Sequence, residues 1–178
     1  KLNPEHDITV IERGPRDATW GFGVVFSDET LKNFMEADAP TYKRIVENFA
    51  YWDEIDTFIH GKKVTSGGHG FCGMARLKLL NIFHDRCEEL GVRLQFETDI
   101  TDLDQLEMDK YDLVLAGDCI TSMIRETFQD KFGTSMDWRQ NKFCWLATTL
   151  PLDTFTFIFR KNEHGWWWVH AYAYNNEM

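Results

Sequence analysis

The fold class is decided by one stretch near the start of the chain, Asp7-Ile8-Thr9-Val10-Ile11-Glu12. It is a short run rich in β-branched residues that ends in an acid, which is typical of a strand. A loop containing Gly14, Gly21 and Gly23 follows it. Dinucleotide-binding α/β folds hold the adenosine ribose with an acid in this position, because the carboxylate accepts both ribose hydroxyl protons. Glu12 is therefore a candidate ribose ligand, and a solvated acid at the end of a strand is the alternative.

Helical periodicity predicts three helices beyond this strand. Ser27 or Asp28 caps the first helix, which ends before Pro40, and the second helix begins at Pro40. The third pattern is the clearest and runs over about 76–90, with Gly91 at its end.

The strand pattern changes character along the chain. Residues 92–96 alternate as a half-buried strand, and residues 111–116 form the apolar run expected of a strand buried on both faces of a parallel sheet. Long aromatic strands are predicted in the last third, at 142–149, 154–160 and 166–174, with a hairpin turn at 162–165 between the last two. We therefore predict an α/β domain over residues 1–137, followed by antiparallel β structure over residues 138–178.

Composition and charge exclude several functional classes. The 178 residues are 43% hydrophobic and 27% charged, as in ordinary globular proteins, and no apolar run approaches the roughly 20 residues of a membrane-spanning helix. The net charge of −10 repels phosphate backbones, so general nucleic-acid binding is not expected. The four cysteines are scattered without a C-x-x-C pair, which suits a reducing cytosol. We expect a cytoplasmic protein that binds neither nucleic acid nor membranes.

A second glycine-rich segment, Gly68-His69-Gly70-Phe71-Cys72-Gly73, matches the letters of a dinucleotide phosphate loop. The preceding residues 62–66 are too polar for a central parallel strand, and His69 and Phe71 would crowd a pyrophosphate. A glycine-rich turn beside a ligand pocket is therefore the favoured interpretation.

Asp118 follows the apolar run and leads into a helix predicted around 122–128. Ligands of α/β proteins bind at the ends of such strands, and the N-terminus of the helix favours an anion. The alternative is that Asp118 only caps the helix.

Histidines and aromatic residues point to a pocket rather than to a metal. His69, His164 and His170 lack the spacing of metal ligands, so structural or substrate-pocket roles are favoured and no metal is expected. The 7 Trp and 14 Phe fit either an aromatic core or a pocket for flat ligands.

One face of the last predicted strand mixes Trp, Tyr and His side chains: Trp166, Trp168, His170, Tyr172 and Tyr174. Each of these side chains has a polar group that needs a partner when buried. We therefore predict that this face lines the ligand site and that the opposite face, with Trp167, Val169 and Ala171, packs against protein.

Four motifs carry a resemblance to a known family. They are residues 8–13, residues 21–28, residues 66–71 with Arg76, and residues 164–166 followed by 170–172. In these motifs the chain resembles the group A flavoprotein monooxygenases, the single-component FAD aromatic hydroxylases, and within them the members that act on aryl-CoA thioesters.

The resemblance implies a partial Rossmann-like FAD-binding domain over residues 1–137 and the start of an antiparallel β substrate domain over residues 138–178. Residues 51–75 are a candidate contribution to the substrate pocket. The family's G-x-G-x-x-G strand would precede residue 1 and its G-D motif would follow residue 178, so the sequence is expected to be a fragment.

Roles for individual residues also follow from the resemblance. Glu12, beside Arg13, corresponds to the acid that binds the adenosine ribose. Gly23 and Val24 correspond to the loop that passes the isoalloxazine, and Arg76 to the arginine that reaches the pyrophosphate and ribityl.

Asp118 corresponds to the acid of a motif that serves FAD and NAD(P)H. Cys119 replaces the glycine that follows this acid in the family, which costs about 1 kcal/mol or more if the turn requires a positive φ.

The implied chemistry is hydroxylation of a small aromatic substrate, expected to be an aryl-CoA thioester. NAD(P)H reduces the flavin, O₂ adds to form a C4a-hydroperoxide, and the ring attacks its distal oxygen. His69 or His170 would draw a proton from the ring substituent, and Trp168 and Tyr172 would line the ring site.

A homodimer is compatible with this family. The alternatives are a related FAD-dependent reductase, or a non-catalytic fragment that binds an aromatic ligand or a partner chain.

Overall fold

The computed structural model describes residues 2–175. Its strands are β1 (Thr9–Ile11), β2 (Gly23–Ser27), β3 (Ala50–Trp52), β4 (Ile55–Ile59), β5 (Lys62–Ser66), β6 (Phe71–Ala75), β7 (Arg93–Gln95), β8 (Phe155–Asn162) and β9 (Gly165–Ala171). Its α-helices are α1 (Asp28–Ala37), α2 (Ala39–Val46), α3 (Arg76–Glu89), α4 (Met123–Thr127) and α5 (Gln129–Phe132), and three short 3₁₀ helices lie at Leu103–Leu106, Met108–Lys110 and Cys119–Thr121. The expected α/β class is confirmed by this mixture of helices and sheets.

The main core lies between helices and a three-stranded antiparallel sheet of order β2-β6-β3. Its buried residues come from α1, α2, β6 and α3: Leu31, Ile45, Cys72, Met74, Leu79 and Ile82. This core fixes the end of β6 and therefore the start of α3, which follows it without a loop.

The predicted helix boundaries are confirmed by their caps. The Ser27 hydroxyl accepts a hydrogen bond from the Thr30 amide at 3.3 Å and begins α1. Asp38 caps α2 and also receives Arg86 of α3 at 2.8 Å, which ties the two helices together. Gly91 takes a φ of 78° just after α3, a conformation that glycine adopts without strain.

β1 and β7 form a separate parallel pair, with Thr9 opposite Arg93 and Ile11 opposite Gln95. α3 lies directly before β7 in the chain and contacts it, as in a βαβ connection. The pair places Glu12 at the carboxyl end of β1, beside the turn that follows β7.

The second sheet has the order β5-β4-β8-β9 and is mixed rather than purely antiparallel. The hairpin of β8 and β9 is confirmed, with Asn162 opposite Gly165 at its turn, but β8 runs parallel to β4. Within residues 138–178 the predicted antiparallel pairing is therefore present in this hairpin, and the parallel neighbour β4 comes from outside that range. The pairing with β4 is parallel because β4 is already paired with β5 along one edge, and the chain returns to its open edge at the same end, where the Phe155 amide donates to the Glu54 carbonyl at 3.2 Å.

Two predicted strands do not form. Residues 111–116 and 142–149 are irregular and exposed, with Leu115 at 84% of its maximal exposure. A strand needs a neighbour for its backbone groups, and neither segment pairs with a strand within residues 2–175. Hydrophobic periodicity depends only on the residues of the segment itself, so it does not show whether a partner strand lies beside it.

The G-x-G-x-x-G letters at 68–73 do not form a phosphate loop. Cys72 and Gly73 lie inside β6, paired with Phe26 and Val25 of β2. Residues 67–70 link β5 to β6 as the glycine-rich turn, in which Gly68 has a φ of 82°.

Candidate active site at an aromatic cluster

Phe155, at the start of β8, is the centre of an aromatic cluster. It is 9% exposed, and its ring centroid lies 5.6 Å from Phe71, 4.7 Å from Phe157 and 5.5 Å from Tyr172. Trp52 of β3 closes the cluster at 6.1 Å from Phe155 and is 4% exposed. The parallel pairing of β4 with β8 brings these rings together from four separate strands or loops.

His170 lies at the exposed margin of this cluster. Its ring is 4.8 Å from Phe157, 6.3 Å from Phe155 and 4.4 Å from Trp168, in edge-to-face arrangements. Desolvation by these rings lowers the pKa of His170 from its ordinary value. The imidazole is therefore neutral at neutral pH and can accept a proton.

The two predicted substrate residues flank His170 along β9. Trp168 stacks on Phe159 at 5.4 Å and keeps 62% of its surface exposed. Tyr172 lies deeper, 5.9 Å from Trp52, and burial raises the pKa of its hydroxyl. Trp167 and Val169 on the opposite face are 55% and 45% exposed, so the expected packing of that face against protein is absent within residues 2–175.

His69 approaches the same cluster from the glycine-rich turn. Its ring stacks on Phe71 at 6.4 Å, and Phe71 in turn contacts Phe155, which contacts His170. The Ser66 hydroxyl lies 2.8 Å from Nε2 of His69. The structure thus brings both candidate histidines to one aromatic cluster, although they are 101 positions apart in the sequence.

Asp53 holds this turn in place, and sequence reasoning missed it. Its carboxylate accepts the Gly68 amide at 2.8 Å, and its carbonyl accepts the His69 amide at 3.1 Å. No motif marks Asp53, since its role depends on the close approach of β3 and the turn. In the sequence Phe155 is one of 14 Phe residues, and its central position depends on pairing with segments that are distant in the sequence.

Gly23 and Arg76 form a second group beside the cluster. Gly23 begins β2 opposite Ala75, and the Arg76 amide donates to the Phe22 carbonyl at 2.9 Å. A Cβ at Gly23 would lie 2.7 Å from Cβ of Tyr174 and 3.1 Å from Tyr172, so only glycine fits. Val24, the next residue of β2, packs against the main core.

Arg76 is exposed at the first position of the 14-residue helix α3. No side chain caps the N-terminus of this helix. An uncapped helix N-terminus with an adjacent guanidinium is suited to a phosphate group.

Glu12 and Arg13 lie apart from that group, at the exposed carboxyl end of β1. Oε1 of Glu12 accepts the Gly14 amide at 2.6 Å, and the Glu12 amide donates to Gln95 at 2.8 Å. Glu12 is thus fixed by a turn rather than mobile, which is compatible with both sequence interpretations. Arg13 follows it as an exposed residue of the same turn.

Asp118 belongs to a third region. Its Oδ2 accepts the Met123 amide at 3.0 Å, and hydrogen bonds, first of all from the Ser122 hydroxyl, lower the pKa of its carboxyl. The Asp118 carboxylate thus accepts the amide of the first residue of α4, which is the helix-cap role that the sequence offered as the alternative. Cys119 does adopt a positive φ, 68°, so the strain expected at the position of the family's glycine is present.

Residues 2–175 contain no cluster of three His, Cys, Asp or Glu side chains arranged to hold a metal ion. No helix in this part is long and apolar enough to cross a membrane.

Comparisons with known proteins confirm the resemblance predicted from the motifs. Salicyloyl-CoA 5-hydroxylase of a Streptomyces species is 34% identical over 178 residues, which are 100% of this chain and 34% of that enzyme. The 3-hydroxy-4-methyl-anthranilyl-[aryl-carrier protein] 5-monooxygenase of Streptosporangium sibiricum is 29% identical over 170 residues, 95% of this chain and 47% of that enzyme. The chain thus spans a third to a half of the curated relatives it matches, while no family model matches it.

Solved structures show more distant likeness. The tetrameric form of 2-methyl-3-hydroxypyridine-5-carboxylic acid oxygenase has a TM-score of 0.46 at 18% identity, covering 52% of this chain and 25% of that one. CtdE in complex with FAD and a substrate has a TM-score of 0.47 at 18% identity, covering 56% and 26%. By sequence, the chain resembles the aromatic monooxygenases. Among them it is similar throughout its length to salicyloyl-CoA 5-hydroxylase.

Proposed function

We propose that this chain is part of an FAD-dependent monooxygenase that hydroxylates an aromatic ring, with an aryl-CoA thioester as substrate and with NAD(P)H and O₂ as co-substrates. The observation that carries the proposal is the 34% identity to salicyloyl-CoA 5-hydroxylase over all 178 residues. The convergence of His69 and His170 on one aromatic cluster supports it, because a flat substrate ring needs aromatic walls and a proton acceptor.

The residues around α3 fit a flavin dinucleotide. Arg76 and the uncapped first-turn amides of α3 would hold its pyrophosphate, and Gly23 would lie beside the isoalloxazine. Glu12 would accept the ribose hydroxyl protons from the end of β1, with Arg13 next to it. Val24 would back the ring, and Asp118 would serve FAD or NAD(P)H from the start of α4.

A bound FAD would supply the oxygen-activating chemistry, and the protein supplies orientation and proton handling. His170 is the favoured base, since desolvation lowers the pKa of its imidazole and keeps it neutral. Removal of a proton from a ring hydroxyl or amine makes the substrate more electron-rich. His69 is the second candidate, held by Ser66 at the other side of Phe155.

Trp168 and Tyr172 would position the substrate ring from either side of His170. Tyr172 is held between Trp52 and Phe155, so it offers a fixed wall, whereas Trp168 is exposed and can close over a ligand. Residues 51–75 would contribute to the same pocket through Trp52, Phe71 and the glycine-rich turn.

We also propose a domain boundary near residue 137. β4 and β5, which precede it, share a sheet with β8 and β9, which follow it.

We further propose a cytoplasmic location and a homodimer. Cys72, Cys87, Cys119 and Cys144 are all free, as a reducing compartment would keep them. Burial raises the pKa of the Cys72 thiol to about 11, so this thiol is protonated and unreactive.

The test uses the protein that contains this chain, purified with its cofactor, and salicyloyl-CoA as the probe substrate. The monooxygenase predicts flavin absorbance, NAD(P)H oxidation that accelerates with the probe, and a hydroxylated product. A reductase would oxidise NAD(P)H without hydroxylating the probe, and a colourless protein would indicate a binding fragment.

A variant of His170, compared with a control variant at another histidine, tests whether His170 is the base. His170→Phe keeps the bulk of the side chain and should lower the hydroxylation rate about 100-fold or more, as expected when a general base is lost, with flavin content unchanged. His6→Phe, at an exposed position near the start of the chain, is the matched control and should keep full activity. Normal product yield in His170→Phe would remove His170 from the mechanism.

A further inference from the structure

One face of the β5-β4-β8-β9 sheet forms a continuous strip from the candidate active site to the far end of the sheet. We call it the aromatic face and define it by the strand register: Phe155, Phe157 and Phe159 of β8, and Trp166, Trp168 and His170 of β9. His170 lies opposite Phe157, and Trp168 lies opposite Phe159, so these side chains share one side of the sheet. The rings contact their neighbours at 4.4–6.5 Å along the strip.

Two lysines lie on this same face at the end away from His170. Lys161 is opposite Trp166, and its Nζ lies 5.9 Å from the centre of that ring. Lys62 is opposite Ile59, which is in turn opposite Phe159. The β4–β5 turn and the β8–β9 turn lie side by side at this end. The ring of His60 in the first is 6.1 Å from the ring of Trp166, which follows the second.

Lys62 and Lys161 place positive charge at this end of the sheet, in a chain with a net charge of −10. Neither has a carboxylate partner within 4.0 Å among residues 2–175. Lys63, one position away, is different, since its side chain is on the other face and binds Asp56 at 2.8 Å. Glu163 is the acid of the hairpin turn and lies 3.6 Å from His164.

The hairpin turn that follows Lys161 is pre-organised by Asn162. Oδ1 of Asn162 accepts two hydrogen bonds at 2.9 Å, one from the His164 amide and one from Nε1 of Trp167. A fixed turn loses little entropy when it binds a ligand, which favours a binding role over a mobile surface loop.

We propose that Lys62 and Lys161 bind the phosphate end of a phosphopantetheine thioester, whose linker lies along the aromatic face and whose aryl group reaches His170. This inference rests on the proposed function for the identity of the aryl end. His170 is opposite Phe157, and from Phe157 to Lys161 the strand advances four residues, about 13 Å at the usual rise of a strand. A bare aromatic acid cannot contact both ends, whereas an aryl group on a long phosphorylated linker can.

The experiment measures equilibrium binding to the flavin-loaded protein, with coenzyme A, 4′-phosphopantetheine and pantetheine as the probes. In the double variant Lys62→Gln/Lys161→Gln, the dissociation constants of the two phosphorylated probes should rise about fivefold to thirtyfold, the loss expected for two exposed charge contacts. The dissociation constant of pantetheine should not change. The matched control, Lys32→Gln/Lys43→Gln on α1 and α2, removes the same charge and should leave all three constants unchanged.

The outcomes separate this inference from the proposed function. Equal affinity of wild type and double variant for both phosphorylated probes overturns the phosphate site, even if salicyloyl-CoA is hydroxylated. A weakened affinity without any hydroxylation of salicyloyl-CoA would support the site and reject the proposed function. If 4′-phosphopantetheine responds as strongly as coenzyme A, its single phosphate is sufficient and a carrier-protein substrate is also accommodated. A response to coenzyme A alone would overturn the proposal, because the lysines would then bind the nucleotide phosphates instead of the phosphate of phosphopantetheine.

Discussion

Gly73→Ala tests whether the second glycine-rich segment is a packed strand or a ligand loop. Gly73 lies inside β6, and a Cβ there would be 2.5 Å from Cη2 of Trp52 and 2.8 Å from the carbonyl oxygen of Ala173. Both distances are shorter than a carbon contact allows. Trp52 cannot move easily, since it is 4% exposed and contacts Phe155 and Tyr172.

The magnitude follows from two opposing effects. Overpacking of a well-packed site costs about 1–3 kcal/mol in the free energy of unfolding. Replacement of glycine by alanine returns about 0.4–1 kcal/mol, because the unfolded chain becomes less flexible. The expected net loss is therefore about 1–2 kcal/mol, with a displacement of Trp52.

Urea unfolding followed by tryptophan fluorescence measures both consequences. The matched control is Gly117→Ala, because Gly117 has no atom within 4 Å of the added Cβ and no positive φ. The control should change stability by less than about 0.5 kcal/mol. Equal stability of the two variants would refute the packing argument for β6 and would reopen the loop interpretation.

Three further predictions follow from individual side chains. Asp56→Asn should cost about 1–3 kcal/mol in urea unfolding, because the buried carboxylate accepts Thr65 at 2.6 Å, Thr154 at 2.9 Å and Lys63 at 2.8 Å. These partners, first of all Lys63, lower the pKa of Asp56, so its contribution should be complete above about pH 4 and lost below it as the carboxylate is protonated. The stability of Asp56→Asn should therefore fall less than that of wild type as the pH drops below about 4, and an equal fall in both proteins would contradict this. Burial, and next the charge of Arg16, lower the pKa of His84, so wild-type stability should fall as the pH drops below about 6.5, and His84→Gln should reduce this dependence in unfolding curves at pH 5.5 and 7.5. Arg76→Ala should reduce flavin retention on purification about tenfold or more, the loss of one charge-assisted contact, and full flavin content would reject its assigned role.

Local signals in the sequence predicted the helices well. Ser27 and Pro40 mark the beginnings of α1 and α2 because caps and proline act on their immediate neighbours, and Gly91 marks the end of α3 for the same reason. The β8–β9 hairpin was predictable because its turn and strand alternation are also local.

The candidate site was only partly predictable. His170, Trp168 and Tyr172 were assigned to one face because the side-chain period of a strand is two. Their connection to His69 could not be predicted, since it runs through Phe71 and Phe155, which meet across a separation of 84 positions.

Local residues are therefore enough to predict capped helices, a glycine-rich turn with one histidine and an aromatic strand with another. Three features instead depend on the folded chain: the G-x-G-x-x-G letters end inside β6, the apolar run at 111–116 stays unpaired, and β4 pairs with β8 in parallel. They depend on it because strand pairing is a contact between distant segments. A strand's own residues specify its two faces, but which neighbour satisfies its backbone, and hence which side chains meet, is specified by the rest of the fold.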